Sequence, residues 1–228
     1  MGKVIILPET TKNPITLMGK RAGYCWGADI SKDNLNYKRG IDCIKSNHGR
    51  VMDFVNVEIV ATGYSARVIR EWYTHIGCMP ARLQGSTRYI DYLSGFDYIT
   101  PRTIENNEEA SDVYKEIMTN ISNAGKKLEE LGIPREDSAM ILPLGMCTEI
   151  VDKRDLRSYV DMSRNRMCKR AYWEFRDNLF KDIIDGLREY SDEWKVVIDM
   201  LFKPKCEEYG FCTEKYSCGR KPKREVKE

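Results

Sequence analysis

The stretch Val55–Tyr89, VNVEIVATGYSARVIREWYTHIGCMPARLQGSTRY, decides how the chain is read. Its opening sets Val55, Val57 and Ile59 against Asn56 and Glu58, the two-residue period of a half-buried strand. At Ser65 the period changes. Val68, Ile69, Trp72, Tyr73 and Ile76 recur at helical spacing, and Ser65 stands where an N-cap hydroxyl belongs. Gly77 and Pro80 then end the helix. Next, Gln84-Gly85-Ser86-Thr87-Arg88-Tyr89 gathers a flexible backbone, two hydroxyls, an amide, a guanidinium and a phenol. A turn with open backbone N–H groups beside an arginine suits a phosphate. An ordinary polar loop has the same composition, and both readings stay open at this point.

Upstream, Val4–Leu7 reads as a strand, and residues 1–50 otherwise read as irregular, with turn signals at Asn13-Pro14 and Gly19. Downstream, β-branched and aromatic residues predict another strand around Asp91–Thr100. Residues 108–131 predict a helix with Val113, Ile117, Ile121 and Leu128 on one face, stopped by Gly132 and Pro134. A short helical turn through Met140 leads to Leu142-Pro143. From Asp155 to about Tyr190 the pattern is helical, broken near Ser163–Cys168, and a last helix starts after the N-cap Ser191. Strands first and helices later, without βαβ alternation, predict an α+β fold: an antiparallel or mixed sheet flanked by helices. Past Phe202 the composition turns to Lys, Pro, Gly, Cys and Glu. The expected organisation is one domain over 1–202 and a Cys/Lys-rich tail over 203–228.

The 228 residues carry a formal charge of +2, with 42% hydrophobic and 32% charged residues, so no global field argues for nucleic acid or an anionic membrane. No apolar run has transmembrane length, and the start MGKVIILPETTK lacks a cleavage-site pattern, which predicts a cytoplasmic protein. There, eight cysteines are expected to be thiols. Cys206, Cys212 and Cys218 are spaced C-x5-C-x5-C, which is not the C-x2-C pattern of zinc sites, and a fourth ligand is not obvious. No metal ligand is assigned; a structural zinc and a metal-free docking tail both remain readings of this segment.

A second arginine-rich element, RDLRSYVDMSRNRMCKRAYWEFR over 154–176, places Arg166 and Arg170 one helical turn apart and Asp161 four residues after Arg157. Tyr159, Met162, Met167, Trp173 and Phe175 supply its packing side. One reading is a solvated basic face balanced by Asp152, Asp155, Asp161 and Glu174. The other is a site for several phosphates, since the planar fork of Arg grips two oxygens at once.

Taken in order, these residues resemble the flavin-dependent thymidylate synthases. The family signature is an Arg-His-Arg triplet at a helix end, then a turn closing in Ser-x-Arg-Tyr. Here Arg70-Glu71-Trp72-Tyr73-Thr74-His75 is similar to the approach, and Ser86-Thr87-Arg88-Tyr89 matches the close. Leu142-Pro143, Thr148, Asp155-Leu156-Arg157-Ser158, Arg166 and Ala171-Tyr172-Trp173-Glu174-Phe175-Arg176 follow the family's order. His48-Gly49-Arg50, with Asp53, resembles its flavin-contacting strand. The chain departs from the pattern at Thr74 and Ile76 in place of the triplet arginines, at Gln84 where many members have Glu, and at Ala139 three residues before Leu142. The loop from His75 to Ser86 is also longer than the common form. Arg82, Arg67 and Arg50 are candidates to replace the lost arginines.

The resemblance implies conversion of dUMP to dTMP, with methylenetetrahydrofolate as carbon donor, FAD as hydride carrier and NADPH as reductant. It implies a dUMP site at Gln84, Gly85, Ser86, Thr87, Arg88 and Arg166, with Arg166 also the catalytic candidate. FAD contacts are implied at Arg50, Asp53, His75, Asp155, Arg157, Asp161 and Arg170. The expected assembly is a homotetramer with sites at subunit interfaces, without nucleic acid or membrane partners. Cys78 invites comparison with the cysteine nucleophile of classical thymidylate synthase, but the flavin family needs none. An alternative is a related flavin and folate enzyme that acts on another pyrimidine nucleotide or hydroxymethylates it, and a further one is a nucleic-acid-binding module using Arg154–Arg176 and the tail.

Overall fold

The computed structural model describes residues 2–77 and 79–224; Cys78 lies outside them. In chain order the elements are β1 (Lys3–Ile6), α1 (Pro14–Cys25), α2 (Asp33–Lys45), a 3-10 helix (Gly49–Phe54), β2 (Asn56–Ser65), α3 (Ala66–Tyr73) and β3 (Ala81–Gln84). There follow α4 (Arg102–Glu105), α5 (Glu108–Glu130), α6 (Arg135–Ser138), β4 (Cys147–Asp155), α7 (Leu156–Arg166), a π turn (Phe175–Leu179), α8 (Phe180–Tyr190), α9 (Asp192–Leu201) and α10 (Lys205–Tyr209). The strands pair in the order β1-β2-β4-β3, giving the expected α+β class. Beyond β1, Leu7 N–H donates to Glu58 O and Thr11 N–H to Asn56 O, numbers that rise on one strand as they fall on the other, so this edge is antiparallel.

The chain divides into two compact units, and β2 and β4 each contribute residues to both. The first unit comprises, of the described residues, 2–3, 61–73 and 83–151. Its core includes Tyr64, Val68, Ile69, Trp72, Leu93, Met118, Met146 and Ile150. Ser65 caps α3 as expected: its hydroxyl accepts from Val68 N–H at 3.1 Å. The stretch 91–100 forms turns, not a strand; only the isolated bridge of Tyr98 to Met146 is extended pairing there. On α5 the buried positions are Met118 and Gly125, whereas Val113 and Ile117 are exposed. The reason is close approach: a Cβ on Gly125 would stand 2.4 Å from Leu93 Cδ2, so this side faces the unit's interior.

The second unit comprises, of the described residues, 4–60, 74–77, 79–82 and 152–224, and its core is built on Ile15, Met18, Val57, Ile59, Leu156, Tyr159, Phe175, Phe180 and Trp194. Residues 1–50 are not irregular, because α1 and α2 pack together there. Pro14 does not mark a turn; it opens α1, where a missing N–H costs nothing. The Glu193 carboxylate then accepts from Thr16 N–H at 2.9 Å and from its hydroxyl at 2.5 Å, a negative charge at the positive end of α1. Gly19 and Gly40 are the crossing point, not breakers: a Cβ on Gly19 would lie 1.8 Å from Asn36 O, and one on Gly40 2.0 Å from Ile15 O.

The G40A protein is therefore expected to lose about 2 kcal/mol or more, since forced overpacking costs about 1–3 kcal/mol and here the obstacle is backbone. An unchanged urea midpoint would show that the helices do not cross at this residue.

Candidate functional site

In the first unit β3 delivers Gln84 to the head of the turn. Gly85 N–H donates to Glu149 O at 2.9 Å, and a Cβ at Gly85 would stand 2.8 Å from the Tyr92 hydroxyl, which explains the glycine. Ser86 closes the turn from within. Its carbonyl accepts from Tyr89 and Ile90 N–H, and its Oγ from Arg88 N–H at 3.2 Å. The amides of Ser86 and Thr87 have no acceptor among the described residues. Arg88 is exposed, and its Nε pairs with Glu136 at 2.9 Å. An exposed pair of this kind is worth about 0–1 kcal/mol, so an incoming phosphate can displace it at little cost.

The second unit assembles a different constellation around His75. Arg166, the last residue of α7, donates from Nε to His75 Nε2 at 2.8 Å and from Nη2 to Thr74 Oγ1 at 3.3 Å. Its guanidinium stacks 4.5 Å from the centroid of the buried Phe175 ring, and His75 meets that ring edge-on at 5.9 Å. The His75 carbonyl is held as well, accepting from Arg154 Nη1 at 2.5 Å. Arg154 is 1% exposed, and its partner Asp152 is 0% exposed; Nε and Nη2 donate to the two carboxylate oxygens at 2.6 and 3.0 Å. Glu174 is buried too, so Asp152, Arg154 and Glu174 are not part of a solvated basic face.

The flavin candidates divide. Arg157 and Asp161, with Gly49, line a cavity of about 500 Å³ in the second unit, and Arg157 Nη1 reaches Asp53 at 3.5 Å. Asp161 is bonded at 2.6 Å by Arg164, three residues on, where a pairing with Arg157 was expected. Burial opposes the charge of Arg164, but its bonds to Glu208 and the fields of Glu208 and Asp161 outweigh this and hold its pKa above the ordinary value. Arg50 and Asp53 sit on a 3-10 helix, not on the strand expected there, and both are exposed. Asp155 is the N-cap of α7, accepting from Ser158 N–H at 2.8 Å. Arg170 lies beyond the end of α7 and shares no helical face with Arg166; it donates to Tyr216 O and pairs with Glu214 at 3.6 Å. Arg67 is exposed in the first unit, whereas Arg82 is half-buried on β3.

The Asp152–Arg154 pair was not read as part of a site. The only sequence signal was its i, i+2 spacing, which puts both side chains on one face of a strand.

Fold and charge placement define an α+β protein that presents arginines from a tight turn and from a helix end. The family is specific. Residues 7–189 match the family model of thymidylate synthase complementing protein, and the chain belongs to that family. The chain is 28% identical over 195 residues to a flavin-dependent thymidylate synthase of Nitratidesulfovibrio vulgaris, covering 80% of this chain and 75% of the relative. It is 26% identical over 249 residues to the Clostridium tetani protein of the same name, covering 96% and 94%. The Helicobacter pylori flavin-dependent thymidylate synthase ThyX, solved with FAD and dUMP, superposes with a TM-score of 0.65 over 85% of this chain and 98% of its own; at 19% identity this is a likeness of fold.

Removing one member of a buried ion pair strands the other, at a cost of about 3–5 kcal/mol. D152N is expected to lose stability in that range, whereas D152L combined with R154M recovers much of it. Urea denaturation of both proteins checks this, and a double variant as unstable as the single one would contradict it.

Proposed function

We propose that the chain converts dUMP to dTMP, taking a methylene group from methylenetetrahydrofolate, with FAD as the hydride carrier that NADPH re-reduces. Membership of the family supports this, and so does the chemistry of the residues: arginines for phosphates and carboxylates, aromatic faces beside them, and only two histidines. The observation that carries the reading is the tethered guanidinium of Arg166, held by His75, Thr74 and the Phe175 face.

Bound FAD supplies hydride transfer. The residues present fit such a group: the cavity lined by Arg157 and Asp161 has the size of ordinary ligand pockets, about 300–1,000 Å³. In this reading Arg157, with Asp53 and Arg50 alongside, takes flavin phosphates. Asp161, His75, Asp155 and Arg170 lie along the cofactor, Asp155 also capping α7 and Arg170 also clamping the tail. The turn Gln84–Arg88 holds the nucleotide phosphate through its open amides and Arg88. Arg166 faces the uracil ring and stabilises negative charge developing on a base oxygen. The assembly is a homotetramer acting in the cytoplasm, with the catalytic region over 1–202 and the tail 203–228 attached. Exposed Val113 and Ile117 on α5 offer an apolar face for subunit packing. Among the described residues no helix is long and apolar enough to cross a membrane.

Arg166→Ala and Arg88→Ala are each expected to weaken dUMP binding by about 1.5–3 kcal/mol, the worth of a hydrogen bond to a charged group. Calorimetry checks this, and parental affinity in both would remove the site. The activity itself is tested by growth of a thymidine-requiring strain without thymidine. Failure with soluble, flavin-loaded protein would favour another pyrimidine substrate.

A further inference from the structure

The three cysteines of the tail lack an obvious fourth partner in sequence, but the fold supplies one. Cys168, two residues past the end of α7, lines the same cavity of about 190 Å³ as Cys206, Cys212 and Cys218. All four are thiols. Six basic side chains line this cavity against one acidic residue, Glu214, so the lining residues carry a net positive charge. The segment is built, not loose: Cys212 is buried, its N–H donates to Pro222 O at 2.6 Å, and Arg220 donates to Met167 O at 3.2 Å beside Cys168.

We propose that Cys168, Cys206, Cys212 and Cys218 ligate an iron–sulfur cluster in this cavity. The choice of ligand follows from size and charge. Among the described residues no three His, Cys, Asp or Glu side chains converge on a point that could hold one metal ion. A zinc site needs such a point, with every sulfur about 2.3 Å from the ion. In a cluster the cysteines bind different irons, so four cysteines that line one shared volume suffice, and these four line this cavity. A four-thiolate cluster is also an anion, and the basic lining supplies countercharge: Lys205 and Lys221 stand beside Arg170 and Arg220, which are paired with Glu214 and Glu207 at 3.6 Å. No disulfide, and no change in the flavin reaction, is required. The consequence for the rest of the molecule is mechanical: a ligand at Cys168 fastens the tail to the chain just beyond Arg166.

The test uses the full chain, produced with iron supplied and purified without oxygen. Iron, zinc and acid-labile sulfide are measured, and electron paramagnetic resonance is recorded at cryogenic temperature after dithionite reduction. Iron and sulfide are expected in equal amounts, about two to four of each per chain, the range of four-cysteine clusters. A fast-relaxing signal distinct from a flavin radical is expected alongside them. Cys212→Ser, and separately Cys206→Ser with Cys218→Ser, are expected to lose both, while circular dichroism reports whether each variant is folded; the double variant, which spares the buried Cys212, guards against a folding defect. Stoichiometric zinc in place of iron overturns the proposal. So does metal-free folded protein in which all four thiols react with a thiol reagent, or full iron and sulfide retained by the folded double variant.

Discussion

The buried ion pair of Asp152 and Arg154 is the constraint on which the second unit's chemistry depends. Two charges taken out of water cost several kcal/mol each even after relaxation, and their attraction offsets this only when nearly every donor and acceptor is matched. The matching here is close. Both carboxylate oxygens accept from the guanidinium, and the remaining terminal nitrogen donates to the His75 carbonyl. That last bond ties β4 to residue 75, which is 79 positions away in sequence. His75 is thereby held by its backbone, leaving its ring to serve as an acceptor for Arg166. Nε2 is thus the ring nitrogen turned toward Arg166. A strand thus sets the orientation of a ring, and the ring sets the position of a guanidinium.

The same pair explains what the sequence conceals. Elements governed by local rules were legible: the Ser65 cap, the long helix closed at Gly132, the break after Arg166 and the Ser191 cap all appear where spacing and capping put them. β4 was not legible because alternation is normally read from apolar residues, and its inward positions are Thr148, Ile150, Asp152 and Arg154. Half of its buried face is charged, so the pattern appears inverted. α1 and α2 were missed for a related reason. Gly19 and Gly40 are needed for backbone contact between helices, a tertiary demand that in sequence resembles a turn signal. The apolar residues chosen for α5 mark a helix correctly and its inward face wrongly, since Gly125 and Met118 take the contact.

The candidate site was legible in its residues more than in their duties. The turn at Gln84–Tyr89 forms because a short motif fixes local backbone, whereas the pairing expected of Asp161 with Arg157 goes to Arg164 and Arg157 reaches Asp53 instead. Asp155 and Arg170 are flavin candidates by resemblance, and each also has a local partner that spacing alone does not announce: a helix N-terminus for the first, Glu214 and a backbone carbonyl for the second. Cys168 lines one cavity with the tail cysteines although many residues intervene, and no spacing rule within the tail reaches it.

The loss of the family's flanking arginines now has a physical reading. In this chain Thr74 and Ile76 flank His75, and Arg166 leans directly on the imidazole and on the Thr74 hydroxyl. A second guanidinium at residue 74 would face Arg166 across a few ångströms, where like charges repel by about 4 kcal/mol at the effective dielectric of a protein surface. Thr74 removes that repulsion and offers an acceptor in its place. Arg154 could have reintroduced it from behind, but its charge is cancelled within 2.6 Å by Asp152. The guanidinium of Arg154 therefore grips the His75 carbonyl without adding net positive charge beside Arg166. A lone buried arginine would have held the backbone equally well and spoiled the electrostatics. The paired one holds it and adds no net positive charge beside Arg166.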